Sequence, residues 1–288
     1  MPRHALVSML AMSSVLGLAS LPAASLAEDI KPKAPETAFS GKLRPDILGI
    51  STESNAESAR AVFDALFKGR TDTKTDIQQQ KFGGASYVAA LNFSLPAGSK
   101  QNGEMLSTSF TSPASANRAY FVARNLTFAP EQQPSKADMI KEVMGKYGVP
   151  TIVGDQHLYY IYRKGSIMSV GGKYKEATAL EAIDKPLDPR AAVKLNGDTV
   201  RGSCVAVVKR AQTKAKEPGA MLAEAKGANC DGVLSVQLIP GTPADRVGIA
   251  QFTLLDVKQF VSAAAIDGAA LAGGPNEGTM PKGNAPKL

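Results

Sequence analysis

The chain has 288 residues, 44 % of them apolar, and carries 33 Lys and Arg against 26 Asp and Glu, a formal net charge of +7. That length holds one large domain or two ordinary ones, and a charge excess this scattered favours solubility and weak attraction to anionic surfaces. With no basic stripe interleaved with aromatics it excludes a nucleic-acid partner, and two histidines leave no His-rich metal site.

Residues 1–27 read as an export signal. Arg3 and His4 give a polar, positive start, 5–21 is an almost uncharged apolar run, and 25–27 (SLA) put small residues where a signal peptidase cuts. The run is short for a bilayer span, which needs roughly 20 apolar residues, and Pro22 closes it. An uncleaved N-terminal anchor is the rival reading. No cysteine follows the run to carry a lipid, and no later segment is apolar enough to cross a membrane. The expected location is the periplasm or outside the cell.

Residues 28–44 are polar and rich in Pro and Lys, a flexible leader. An N-terminal α+β domain over 45–172 follows. Ser51 and Thr52 are candidate caps for a helix through Lys68, in which Ala59, Val62, Phe63, Leu66 and Phe67 recur at helical spacing. Residues 70–80 form a polar loop, and Gly83 and Gly84 suit a turn or a bulge. Alternation over 87–95 predicts a half-buried strand, with a hairpin connection at 96–103 into a second strand, 104–111. A third element, 118–128, reads as a strand on account of Tyr120, Phe121 and Val122. Ser135 then caps a helix whose apolar face is Met139, Ile140, Val143, Met144 and Tyr147; Gly148 and Pro150 end it. Strands at 157–163 and 166–171 meet in a tight turn at Lys164 and Gly165.

A polar, linker-like stretch, 173–200, separates a C-terminal α+β part, 201–271. It holds strands at 204–209, 232–239 and 250–256, a helix at about 218–226 opened by Pro218, and a last helix through Ala265. Residues 272–288 are a disordered tail rich in Gly, Pro and Asn. The fold class is therefore α+β, a mostly antiparallel sheet with flanking helices, with room for two small subdomains.

Cys204 and Cys230 are the only cysteines. An oxidising compartment would pair them, and the loop so closed would stabilise the fold by roughly 3 kcal/mol in the chain-entropy model. Two buried thiols or a redox pair are the alternatives, although a redox pair normally stands two residues apart.

Residues 46–50 (DILGI), 110–118 (FTSPASANR), 126–128 (LTF), the Pro134–Ser135 cap and 146–150 (KYGVP) together resemble a loose group of exported bacterial proteins of unknown function. The resemblance covers about 46–150 and implies a helix, a small antiparallel sheet and a second helix ending in Lys-Tyr-Gly-x-Pro. The helix-then-sheet order is also similar to envelope-assembly lipoproteins and secreted β-lactamase inhibitors, which bind proteins; that likeness is architectural.

No catalytic residue stands out. His157 is the one histidine after the leader and precedes an aromatic strand, where a structural role is usual. There is no Gly-x-Ser-x-Gly elbow, Ser-x-x-Lys pair, phosphate loop or calcium-loop spacing, and no metal or cofactor is implied. Paired carboxylates stay open, since their separation is set by the fold. What remains is surface: Tyr159, Tyr160 and Tyr162 with Arg163, Lys164, Lys173 and Lys175 would cluster about one hairpin. Tyr and Arg anchor binding surfaces, and the cations suit anionic glycan or lipid; the plain alternative is an amphipathic hairpin. The expected function is a non-enzymatic exported protein that binds an envelope protein or an anionic glycan or lipid surface. The alternative is an exported hydrolase with a carboxylate, Ser or Lys site lacking a motif.

Overall fold

The computed structural model describes residues 31–39, 44–168, 174–187, 193–195, 198–200, 204–205, 207–208 and 218–272. The export signal, Lys173 and residues 273–288 of the tail lie outside them. The fold is α+β: an antiparallel sheet of nine strands carries helices on both faces.

Helix α1 (Ala56–Leu66) starts at Asn55, whose side chain accepts from Ser58 N–H while the Ser58 hydroxyl caps back. This reciprocal cap displaces the expected Ser51 and Thr52. Ala59 and Phe63 are buried, and Phe63 and Phe67 meet Phe93 at 5.0 and 5.6 Å. Four strands then form a meander: β1 (Lys74–Phe82), β2 (Ala85–Leu95), β3 (Gly103–Phe110) and β4 (Ala119–Thr127). The first of these corrects the expected loop at 70–80. Eight of its nine residues are exposed, so no apolar alternation marks it. Its order comes from pairing with β2, from Lys74↔Ser94 to Phe82↔Ala85, across a two-residue turn in which Gly83 and Gly84 both have positive φ.

Helix α2 (Lys136–Tyr147) has the expected Ser135 cap on Asp138 N–H and Gly148 at φ 82°. Strands β5 (Ile152–Gly154), β6 (His157–Arg163) and β7 (Ser166–Ile167) follow. The linker-like stretch contains helix α3 (Glu176–Ala182) and a separate ribbon of β8 (Val193–Leu195) and β9 (Asp198–Val200). Cys204, Val205, Val207 and Val208 are helical, not the expected strand. A short apolar run reads the same either way, and all four side chains are buried in one cluster with Met221 and Ala225. The Cys204–Cys230 disulfide is formed, with Cα atoms 6.0 Å apart. Helix α4 (Pro218–Gly227), β10 (Gly232–Pro240), β11 (Val247–Asp256) and α5 (Val257–Ala272) complete the chain. No helix among the described residues is long and apolar enough to cross a membrane.

The sheet order is β1-β2-β3-β4-β11-β10-β6-β5, with β7 also on β6. The β10–β11 hairpin, from the expected C-terminal part, thus fills the centre between β4 and β6. Strands of both expected parts belong to one sheet, and no boundary at 173–200 divides it.

One apolar layer takes Ile140 and Val143 of α2 and Ala179 of α3 with Leu158, Tyr160, Leu234 and Leu254 of the sheet. The opposite layer takes Met221 of α4 and Val257 of α5 with Phe121, Tyr159, Ile161, Val233 and Leu255.

The flexible-leader reading is also corrected, over residues 31–39. Ala38 and Phe39 are buried, and the Phe39 ring stands edge-on to Tyr162 at 4.9 Å. Gly232 makes room for this strap, since a Cβ there would lie 2.6 Å from the Phe39 ring. Upstream, Lys33 N–H donates to Ala114 O and Glu36 N–H to Ser262 Oγ.

Candidate functional site

The tyrosines expected to form a hairpin surface, Tyr159, Tyr160 and Tyr162, are interior rather than exposed. Tyr159 and Tyr160 are 0 % exposed and Tyr162 is 3 % exposed. Strand β6 is interior, and its tyrosines alternate between the two layers: Tyr159 stacks on His157, Tyr160 donates to Gly148 O, and Tyr162 receives Phe39. Burial raises all three phenols well above their ordinary value. Arg163 is half-buried, and Lys164 sits exposed in the β6–β7 turn, its N–H donating to Asp231. Lys175 is exposed at the start of α3. The run 158–162 (LYYIY) is apolar and buried at successive positions, the mark of a strand covered on both sides rather than of an amphipathic one. His157 itself is buried and its Nδ1 is bonded to Asp155 O.

Asp256 is an acid whose carboxyl is pushed upward. It ends β11, is 0 % exposed, and burial raises its carboxyl from 3.8 to about 6. An acid so shifted invites a catalytic reading. Its oxygens, however, are occupied by the fold: Ala38 N–H donates to both at 3.1 Å, Gln259 N–H caps α5 at 2.8 Å, and the Thr37 and Thr52 hydroxyls bond Oδ2. The carboxylate fastens the 31–39 strap to the sheet and the start of α5.

A more open site lies further along α5. Past β4, this helix runs over the exposed end of the meander, leaving a groove of about 220 Å³ between its 260–267 stretch and strands β1–β4. Tyr120 of β4 stacks on Phe260 of α5 with ring centroids 4.8 Å apart. Tyr87 of β2 completes the aromatic lining, its hydroxyl donating to Gln80 of β1 at 3.2 Å. Asp267 lines the same groove and accepts from Ser112 Oγ at 2.7 Å through Oδ1. Burial, and next the Asp267 charge, raise the Tyr87 phenol; burial pushes Tyr120 up to about 12. Both phenols therefore keep their protons at neutral pH. Among the described residues, no Lys or Arg lines the groove.

The groove adjoins an open sheet edge. Strand β1 pairs with β2 alone, so one row of its backbone N–H and C=O groups faces outward. Ile77 of β1 is 38 % exposed on this edge strand. An unpaired edge of nine residues is a template for an added strand. Among the described residues, no group of three or more His, Cys, Asp or Glu side chains gathers as for a metal ion.

None of Tyr87, Tyr120, Phe260 and Asp267 stood out in the sequence. They come from three elements far apart in the chain, and the one available signal was the aromatic content of the 87–95 and 118–128 strands. No family model, curated protein or solved structure matches this chain.

Proposed function

We propose that this chain is a non-enzymatic protein that works after export, in the periplasm or outside the cell, by holding a partner protein on β1 and the groove beside it. The observation that carries the reading is the open edge of β1 running alongside an aromatic groove. An extended partner segment gains backbone hydrogen bonds from such an edge and side-chain selectivity from the adjoining pocket. The leader pattern of residues 1–27 and the Cys204–Cys230 disulfide support export, since disulfides persist in oxidising compartments. A binding role is also supported by the groove's ionisable groups: two phenols that hold their protons and one carboxylate provide no acid–base pair.

The test is capture from the native envelope fraction by the mature chain and by its Ile77→Lys/Gln78→Lys variant. The substitutions put one charge on each face of the edge and leave stability within about 0.5 kcal/mol. The wild type should retain a protein partner at moderate salt that the variant loses. Equal capture by both, or capture only of lipid or glycan that washes off with salt, would overturn the proposal.

A further inference from the structure

The groove has a chemical preference that the edge strand alone lacks. Its lining includes the rings of Tyr87, Tyr120 and Phe260, and aromatic rings attract cations through their quadrupoles. Tyr120 and Phe260 are fixed by stacking on each other, and Tyr87 is tethered by Gln80. Asp267 is held by Ser112 through Oδ1, and among the described residues no hydrogen bond engages its Oδ2. The chain as a whole is basic, at +7, yet the groove's only formal charge is this carboxylate. A groove of about 220 Å³ has room for a long side chain with its charged head.

We infer that the groove is a cation subsite, taking the guanidinium or ammonium head of an arginine or lysine that projects from the extended partner segment lying along β1. This rests on the binding reading above. The aliphatic stem lies on Tyr120 and Phe260, the head faces Tyr87, and the free carboxylate oxygen of Asp267 accepts its N–H groups. Gln78 and Gln80 stand opposite Ala90 and Tyr87 in the β1–β2 register, so a residue of the added strand reaches the groove across β1. The subsite fixes the register of that strand: one cationic position must fall beside Gln80.

The experiment is an NMR titration of the isotope-labelled mature chain with N-acetyl-arginine methylamide and with its neutral isostere, N-acetyl-citrulline methylamide. The arginine probe should shift the amides of Ala89, Ala90, Ser109 and Ala264 saturably, binding about tenfold more tightly than the citrulline probe. Asp267→Asn should bring the arginine probe down to the citrulline level. Tyr87→Leu, which leaves the Ser112–Asp267 bond in place, should weaken it about threefold. Equal binding of the two probes, or shifts mapping elsewhere, would overturn the subsite. If replacing Lys282 and Lys287 by Gln moves the same groove amides, the occupant is the chain's own C-terminal segment and the proposal fails. Failure here is distinct from failure of the binding reading: the edge variant would still lose the captured partner, whereas the arginine probe would show no preference.

Discussion

The buried carboxylate of Asp256 should make stability fall as pH rises, the reverse of the usual behaviour of a paired acid. Its folded value of about 6 lies above the ordinary 3.8 because burial outweighs the four groups that donate to it. Between those values the folded chain binds a proton that the unfolded chain has released, so raising the pH favours unfolding. The contribution is fully present well below pH 3.8, is lost through pH 6 and is flat above about pH 7. A rise from 3.8 to about 6 corresponds to roughly 3 kcal/mol. Urea unfolding of wild type and Asp256→Asn between pH 4 and 7.5 isolates the group, because other titrations cancel in the difference. The loss of acceptor capacity in the variant is a constant offset and leaves the slope untouched. The wild type should lose roughly 2.4 kcal/mol relative to the variant across the window, about half a kcal/mol having gone below pH 4. A flat difference would refute the reasoning. A difference rising with pH would show that the donors at Ala38, Thr37, Thr52 and Gln259 outweigh burial.

Phe39→Ala should cost about 3–5 kcal/mol, because the ring is 2 % exposed and packed on Tyr162; trypsin should then cut after Lys33 much faster. Unchanged melting temperature and cleavage would return the strap to the status of a loose leader. Cys204→Ser/Cys230→Ser should lose about 3 kcal/mol, as removal of a link between residues 26 apart predicts. An unchanged urea midpoint for the double variant would show that the link adds nothing to the packed cluster around Met221 and Val207.

Elements whose residues carried their own punctuation were legible. Helix α2 announced itself through Ser135 and Gly148, and β2 through the buried Ala89, Leu91 and Phe93 alternating with less buried neighbours. Strand β1 was hidden because Gln78, Gln79 and Gln80 face water on both sides; the pairing partner, not the sequence pattern, makes it a strand. Val205, Val207 and Val208 are misleading for the opposite reason, since valines suit a strand but here are buried in helical segments. The tyrosines of β6 are legible as aromatic but not as interior, because the layers that cover them on each face are assembled from elements elsewhere in the chain. The groove was illegible for the same kind of reason. It exists only where α5 is laid over strands far upstream in the chain.

The position of the β10–β11 hairpin governs when the molecule can fold. The strands that fill the middle of the sheet are the last to be made, so a chain emerging N-terminus first exposes β4 and β6 as two raw edges until residue 256 has appeared. Asp256, the last residue of that hairpin, is also the anchor of the strap near the front of the chain. Neither end can be secured before the other. A chain of this topology closes its sheet only through late, long-range pairing, a slow kind of folding step.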